Sequence, residues 1–196
     1  MAALLCRSAF FDAARYNRHL VLRNQLDLGM DVNAQNSDKN TALILASLNK
    51  NVECVRLLLK RKADTEIKNH RNDTALIVAA AVKCDPIVKL LLDHGANVHA
   101  QNECGDTAFD NAVISASKST AEILLKHGAD INRQDQYGRT LLHMTAEGTE
   151  FESSDYKMVK FLLKMGADKS IEDIWGQRAI HYATRGGRKD LVGLLK

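Results

Sequence analysis

Thr41-Ala42-Leu43 returns as Thr74-Ala75-Leu76, as Thr107-Ala108-Phe109 and as Thr140-Leu141-Leu142, each copy 33 residues after the last. Arg178-Ala179-Ile180-His181 follows after a longer interval of 38. A second marker keeps the same step: Lys62-Ala63-Asp64, Gly95-Ala96-Asn97, Gly128-Ala129-Asp130 and, after the long interval, Gly166-Ala167-Asp168. Two unrelated markers sharing one period of this length are the signature of a stacked array of similar units.

A third marker supplies the reason for stacking. The triplets Leu57-Leu58-Leu59, Leu90-Leu91-Leu92, Ile123-Leu124-Leu125 and Phe161-Leu162-Leu163 each carry an apolar residue two positions earlier. Val55, Leu58 and Leu59 stand at i, i+3 and i+4, one face of a helix. The stretch opened by the Thr predicts a first helix with Leu43, Ile44 and Ala46 on its apolar side. The Gly-, Asn- and Asp-bearing segment from His94 to Gly105 suits a helix stop followed by a turn. A lone helix pair cannot bury such faces, so neighbouring units must cover one another.

Asp135-Gln136-Tyr137-Gly138-Arg139-Thr140-Leu141-Leu142-His143, closed by Met165-Gly166-Ala167-Asp168, resembles the ankyrin repeat, and the resemblance covers essentially the whole chain. It implies an all-α solenoid of about six helix-turn-helix units linked by short β-hairpin-like turns. The expected organisation is a single domain, 1–196. It has a degenerate first unit at 8–35, repeats at 36–68, 69–101, 102–134 and 135–172, and an incomplete last unit at 173–196. Asn24 and Gln25 in the first unit replace triplet positions, as a water-facing cap requires. The final unit reaches Lys196 with no closing turn.

The chain also departs from the family pattern. The family's Pro after Thr is Ala or Leu throughout, and the lone Pro86 reads as a first-turn residue behind an Asp85 N-cap. Ile44, Ile77 and Asp110 occupy the position that His143 and His181 hold in the late units. Lys62 replaces glycine in one closing turn, where a left-handed residue costs about 1 kcal/mol.

Hydrophobic residues make up 45% of the 196 and charged residues 26%, the balance of a folded globular chain. With 27 basic against 24 acidic residues, a nucleic-acid partner is not expected, and Lys60-Arg61-Lys62 reads as a solvated helix end. Arg7 interrupts the apolar start and no apolar run is long enough to span a membrane, so a soluble monomer of the cytoplasm or nucleus is expected. Cys6, Cys54, Cys84 and Cys104 form no Cys-x-x-Cys pair and read as free thiols. No His-Glu-x-x-His, nucleophile elbow or phosphate loop occurs, so no catalysis, metal or cofactor is expected.

The resemblance implies a partner protein bound on the face made of turn tips and first helices. Carried over residue by residue, its contact positions include Arg71, Cys104, Asp106, Ile114, Tyr137, Arg139, Trp175 and Arg185. They are graded along the chain: early tips are small and polar, whereas the late ones hold Tyr, Trp and Arg, the side chains enriched at binding hot spots. Trp175 either meets a partner or packs back on the neighbouring hairpin. The five extra residues near Thr149-Glu150-Phe151-Glu152-Ser153-Ser154-Asp155 form either an inert loop or an acidic contact loop. Asn33 and Asn132 resemble positions hydroxylated by an asparaginyl oxygenase. The function expected is a binding module, scaffold or inhibitor by surface occupation. The alternative is the substrate-recognition part of a longer enzyme or ubiquitin-ligase adaptor with an effector beyond Lys196.

Overall fold

The structure, a computed structural model, describes residues 2–147 and 152–196. Twelve helices and no strand occur among them. In chain order they are α1 Ala2–Arg15, α2 His19–Asp27, α3 Ala42–Leu48, α4 Val52–Lys60, α5 Ala75–Ala81, α6 Asp85–Asp93, α7 Ala108–Ile114, α8 Lys118–Lys126, α9 Leu141–Glu147, α10 Glu152–Lys164, α11 Ala179–Arg185 and α12 Lys189–Leu195. Each odd-numbered helix pairs with the even one that follows it, giving six hairpins in succession.

The apolar faces do what their spacing predicts. Leu43, Ile44 and Ala46 of α3 and Val55, Leu58 and Leu59 of α4 are buried, and the core runs from Phe10 to Leu195 as one continuous cluster. Fully burying a leucine contributes roughly 1.5–3 kcal/mol, so each unit is held chiefly by what its neighbours cover. First helices pack α1 on α3, α3 on α5, α5 on α7 and α9 on α11; second helices pack α2 on α4, α4 on α6, α6 on α8 and α10 on α12. Between α7 and α9, and between α8 and α10, the backbones are more widely spaced, while Ala112, Leu124, Leu142 and Leu162 stay buried.

Helix ends are set by the repeated Thr. Thr41 and Thr74 accept a hydrogen bond at Oγ1 from the N–H of Ile44 and Ile77, which satisfies one of the orphan donors at each helix start. At Thr107 the missing His is replaced by a different acceptor. Asp110 takes both the N–H and the hydroxyl of Thr107, at 2.6 and 2.7 Å, in a reciprocal capping box. The N-cap of α6 is Cys84 and not Asp85. The helix winds one residue earlier than the Pro86 argument placed it, and the Asp85 carboxylate accepts from the Thr120 hydroxyl of the next unit, at 2.6 Å.

Left-handed residues recur with the same period. Lys39, Asn72, Gly105, Gly138 and Gly176 take positive φ at the turn tips, and Gly29, Lys62, Gly95, Gly128 and Gly166 do so in the closing turns. The turn between paired helices uses Asn17, Lys50, Lys83, Ala116 and Gly187. Lys62 therefore bends as its glycine counterparts do, at φ +60°.

At the first unit, α1 opens ahead of Ser8, and the buried Asn51 amide of the next unit caps its last turn through the carbonyls of Ala14 and Arg15. Its second helix is not wholly polar, since Leu20 and Val21 are exposed together with Leu28 just beyond it. Of the extra segment in the long unit, Thr149, Glu150 and Phe151 lie outside the described residues, whereas residues 152–155 belong to the first turn of α10 and not to a loop.

Candidate tip-face interface

Each turn tip is built on one Asx side chain. Oδ1 of Asn36, Asn69, Asn102, Asp135 and Asp173 accepts from the N–H groups two and four residues later. The N–H of the same residue donates to the carbonyl four residues on, which closes the hairpin. This local bonding holds the tip without a sheet, and it leaves the side chains at its second and third positions pointing away from their own loop.

At the late tips those side chains meet. The rings of Tyr137 and Trp175, from successive tips, stack with centroids 6.0 Å apart and planes 18° from parallel. Trp175 therefore packs back on the neighbouring hairpin and still leaves 60% of its surface exposed, beside Ile174 at 63% and Tyr137 at 41%. The Arg139 guanidinium lies 5.1 Å from the Tyr137 ring centre and is held by Asp135 through Nε at 3.0 Å and Nη2 at 2.9 Å. Arg185 covers the Tyr182 ring at 4.8 Å and reaches Glu147 at 3.3 Å. Both arginines thus carry their own counter-charge, and the patch they frame is apolar.

Beneath the patch lies a polar network that the sequence reading missed. The buried His143 accepts from Thr140 at Nδ1, donates from Nε2 to the Gln177 carbonyl at 3.1 Å, and meets the Tyr182 ring edge-on at 5.6 Å. Tyr182 Oη donates to Asp173 at 2.6 Å. Burial pushes the Asp173 carboxyl up, but the hydrogen bonds from Tyr182, Gln177 and Trp175 outweigh it and hold the group below the usual carboxylate range. One carboxylate therefore shapes the tip that bears Trp175 and ties it to α11.

The other expected contact residues are spread more thinly. Arg71 is exposed and only loosely paired with Asp73 and Glu103, both at 3.9 Å. Cys104 is an exposed free thiol. Ile114 is exposed at the end of α7. Asp106 is half-buried, and desolvation followed by the neighbouring Asp110 carboxylate raises its carboxyl above the ordinary value. Asp110 is itself buried and salt-bridged to Arg133 at 2.6 Å. Cys104 and Asp106 line one cleft with Tyr137 and Arg139, whereas Arg71 and Ile114 stand outside it.

Asn33 and Asn132 bridge successive closing turns, accepting at Oδ1 from the N–H of Asp64 and Asp168. Glu66 takes the same role toward Asn97. His94 and His127 each bond back to a carbonyl of their own helix through Nδ1. Among the described residues no group of His, Cys, Asp or Glu is placed to hold a metal ion, and no helix is long and apolar enough to cross a membrane.

Comparison with known proteins gives the architecture its relatives. The family described as ankyrin repeats (3 copies) matches residues 10–102, 81–173 and 109–196. Among solved structures, a chain of the complex between the predatory endopeptidase Bd0816 of Bdellovibrio bacteriovorus and the immunity protein Bd3460 is 30% identical; the match covers 95% of this chain and 96% of that one, with a TM-score of 0.81. The ankyrin repeat protein EF0377 is 27% identical over 95% and 96% of the two chains, with a TM-score of 0.85. An ankyrin repeat domain from Acinetobacter baumannii AYE is 25% identical over 95% of each, with a TM-score of 0.84. No curated protein matches significantly. Period, capping, left-handed turns and these matches agree that the chain belongs to the ankyrin repeat family.

Proposed function

We propose that this chain acts by occupying the surface of a partner protein, through its turn tips and first helices, with the strongest contacts at the tips that carry Tyr137 and Trp175. Ankyrin repeats are protein-interaction modules. The observation that carries the finer reading is the exposed, pre-stacked pair of aromatic rings flanked by self-neutralised arginines. Aromatic side chains offer large area at small entropic cost. Asp135 and Asp173 have already fixed the backbone beneath them, so less ordering remains to be lost on binding.

Because Arg139 and Arg185 are paired internally, the partner surface complementary to this patch is apolar at its centre and needs no net charge. Arg71, Cys104, Asp106 and Ile114 lie on the rim of the same face. The likeness to a chain from an endopeptidase–immunity protein complex favours inhibition over scaffolding. No residue of the chain is assigned a catalytic role. Capture from a lysate with wild-type chain beside a Tyr137→Ala/Trp175→Ala variant tests the proposal: the specific partner is retained by the first and lost from the second. Retention by both overturns it.

A further inference from the structure

We infer that the array is jointed between residues 134 and 135, so that units on either side move as two arms about the cleft between the third and fourth turn tips. The inference rests on a break in the backbone bonds that join successive tips and on a wider spacing of the helices at the same step. Tip joins tip through a backbone hydrogen bond from His70 to Asp38, from Glu103 to Arg71 and from Ile174 to Tyr137. The corresponding bond from Gln136 to Cys104 is absent from these described residues. Side chains join the early tips as well: the Asn69 amide donates to Asn40 and the Asn102 amide to Asp73, and the donor position becomes Asp at both later steps, Asp135 and Asp173. At the next step the donor position is Asp135, whose carboxylate has no N–H to give, and the acceptor position is Asp106, another carboxylate. Asp135 turns to Arg139 instead.

The helix backbones are also more widely spaced at this step, α7 from α9 and α8 from α10, although the side chains between them stay buried. A cleft of about 720 Å³ fills the gap, lined by Cys104, Asp106, Arg133, Asp135, Arg139 and Met144 among others. Across this step Lys118 sits 5.9 Å from the centre of the Phe161 ring, and the closing turns stay joined as at Asn33, with Asp168 N–H donating to the Asn132 side chain. In a repeat array each unit is coupled only to its neighbours, so the interface with the fewest direct contacts is where bending concentrates. The joint divides Arg71, Cys104, Asp106 and Ile114 from Tyr137, Arg139, Trp175 and Arg185, and its angle sets how far apart a partner meets the two groups.

Spin labels test this without any partner, so the outcome is separate from that of the binding proposal. Arg56, Lys89, Glu122 and Lys160 occupy equivalent exposed positions on α4, α6, α8 and α10. With Cys6 and Cys104 replaced by Ser, cysteine pairs at 56/122 and 89/160 each span two steps of the array, about 20 Å, and only the second crosses the joint. Electron–electron double resonance should give a broader distance distribution for 89/160 than for 56/122. Adding Asp106→Asn/Asp135→Asn, which recreates the Asn69–Asn40 arrangement, should narrow the 89/160 distribution. Equal widths in the parent chain overturn the joint, and a broad 89/160 distribution that the paired Asn substitutions leave unchanged overturns its assigned cause.

Discussion

Lys62→Gly should stabilise the fold, by an amount set by two opposing effects. Lys62 holds φ +60° in a closing turn where Gly29, Gly95, Gly128 and Gly166 hold φ between 82° and 96°. A side-chain-bearing residue in the left-handed region costs roughly 1–2 kcal/mol. Glycine in turn frees the unfolded chain, which costs roughly 0.4–1 kcal/mol. The Lys62 side chain is exposed and no hydrogen bond or ion pair among the described residues is lost with it. The net gain is therefore about 0.5 kcal/mol, or about 1–2 °C in Tm for a chain of this size. Gly95→Lys supplies the reverse: a Cβ at Gly95 meets nothing within 4 Å, so its cost is conformational alone. Urea unfolding of the two variants should shift the midpoint in opposite directions with m unchanged. Two shifts of the same sign, or no cost at Gly95, would refute the backbone argument.

Other outcomes follow from the same structure. Asp110→Ala should cost about 2–4 kcal/mol in chemical denaturation, because it removes the acceptor for the Thr107 N–H and hydroxyl and leaves the partly buried Arg133 without its 2.6 Å partner; Asp110→Asn, which keeps an acceptor for Thr107, should cost less. Burial and then Glu53 push the Cys54 thiol up to about 11, so at pH 8 an alkylating reagent read by mass spectrometry should label the exposed Cys104 and spare Cys54 in the folded chain. Asp135 and Asp173 both titrate below the ordinary carboxylate value despite burial, through hydrogen bonds at their tips. Their contribution is present above the unfolded value of about 3.9 and is lost as pH falls through the lower folded values. Acid titration followed by Trp175 fluorescence should show the late tips loosening below about pH 4, with less pH dependence in Asp173→Asn.

Those features legible in the sequence were the ones that repeat. The 33-residue step exposed both helices, the leucine faces and the strain at Lys62, because the same physics recurs in each unit and a departure stands out against its siblings. Trp175 and Tyr137 were legible as exposed tip residues, but their stacking was not, since 38 residues separate them and only the fold brings successive tips together. Asp110 looked like a lost histidine; its Arg133 partner lies 23 residues on, at no position that a motif marks. The Tyr182–Asp173 bond escaped for the same reason, linking a helix to the preceding turn in one unit alone. Pro86 suggested a helix start one residue late, a boundary that local propensity does not resolve.

The role of the aromatic tips is tested most directly by the affinity of the captured partner for the wild-type chain and for Tyr137→Ala/Trp175→Ala, measured by calorimetry beside an Arg71→Ala control. Removing two hot-spot aromatics should weaken binding by about 100-fold or more, whereas Arg71→Ala should change it only a few-fold. A double variant that keeps its helical content and binds as tightly as wild type would contradict the central claim.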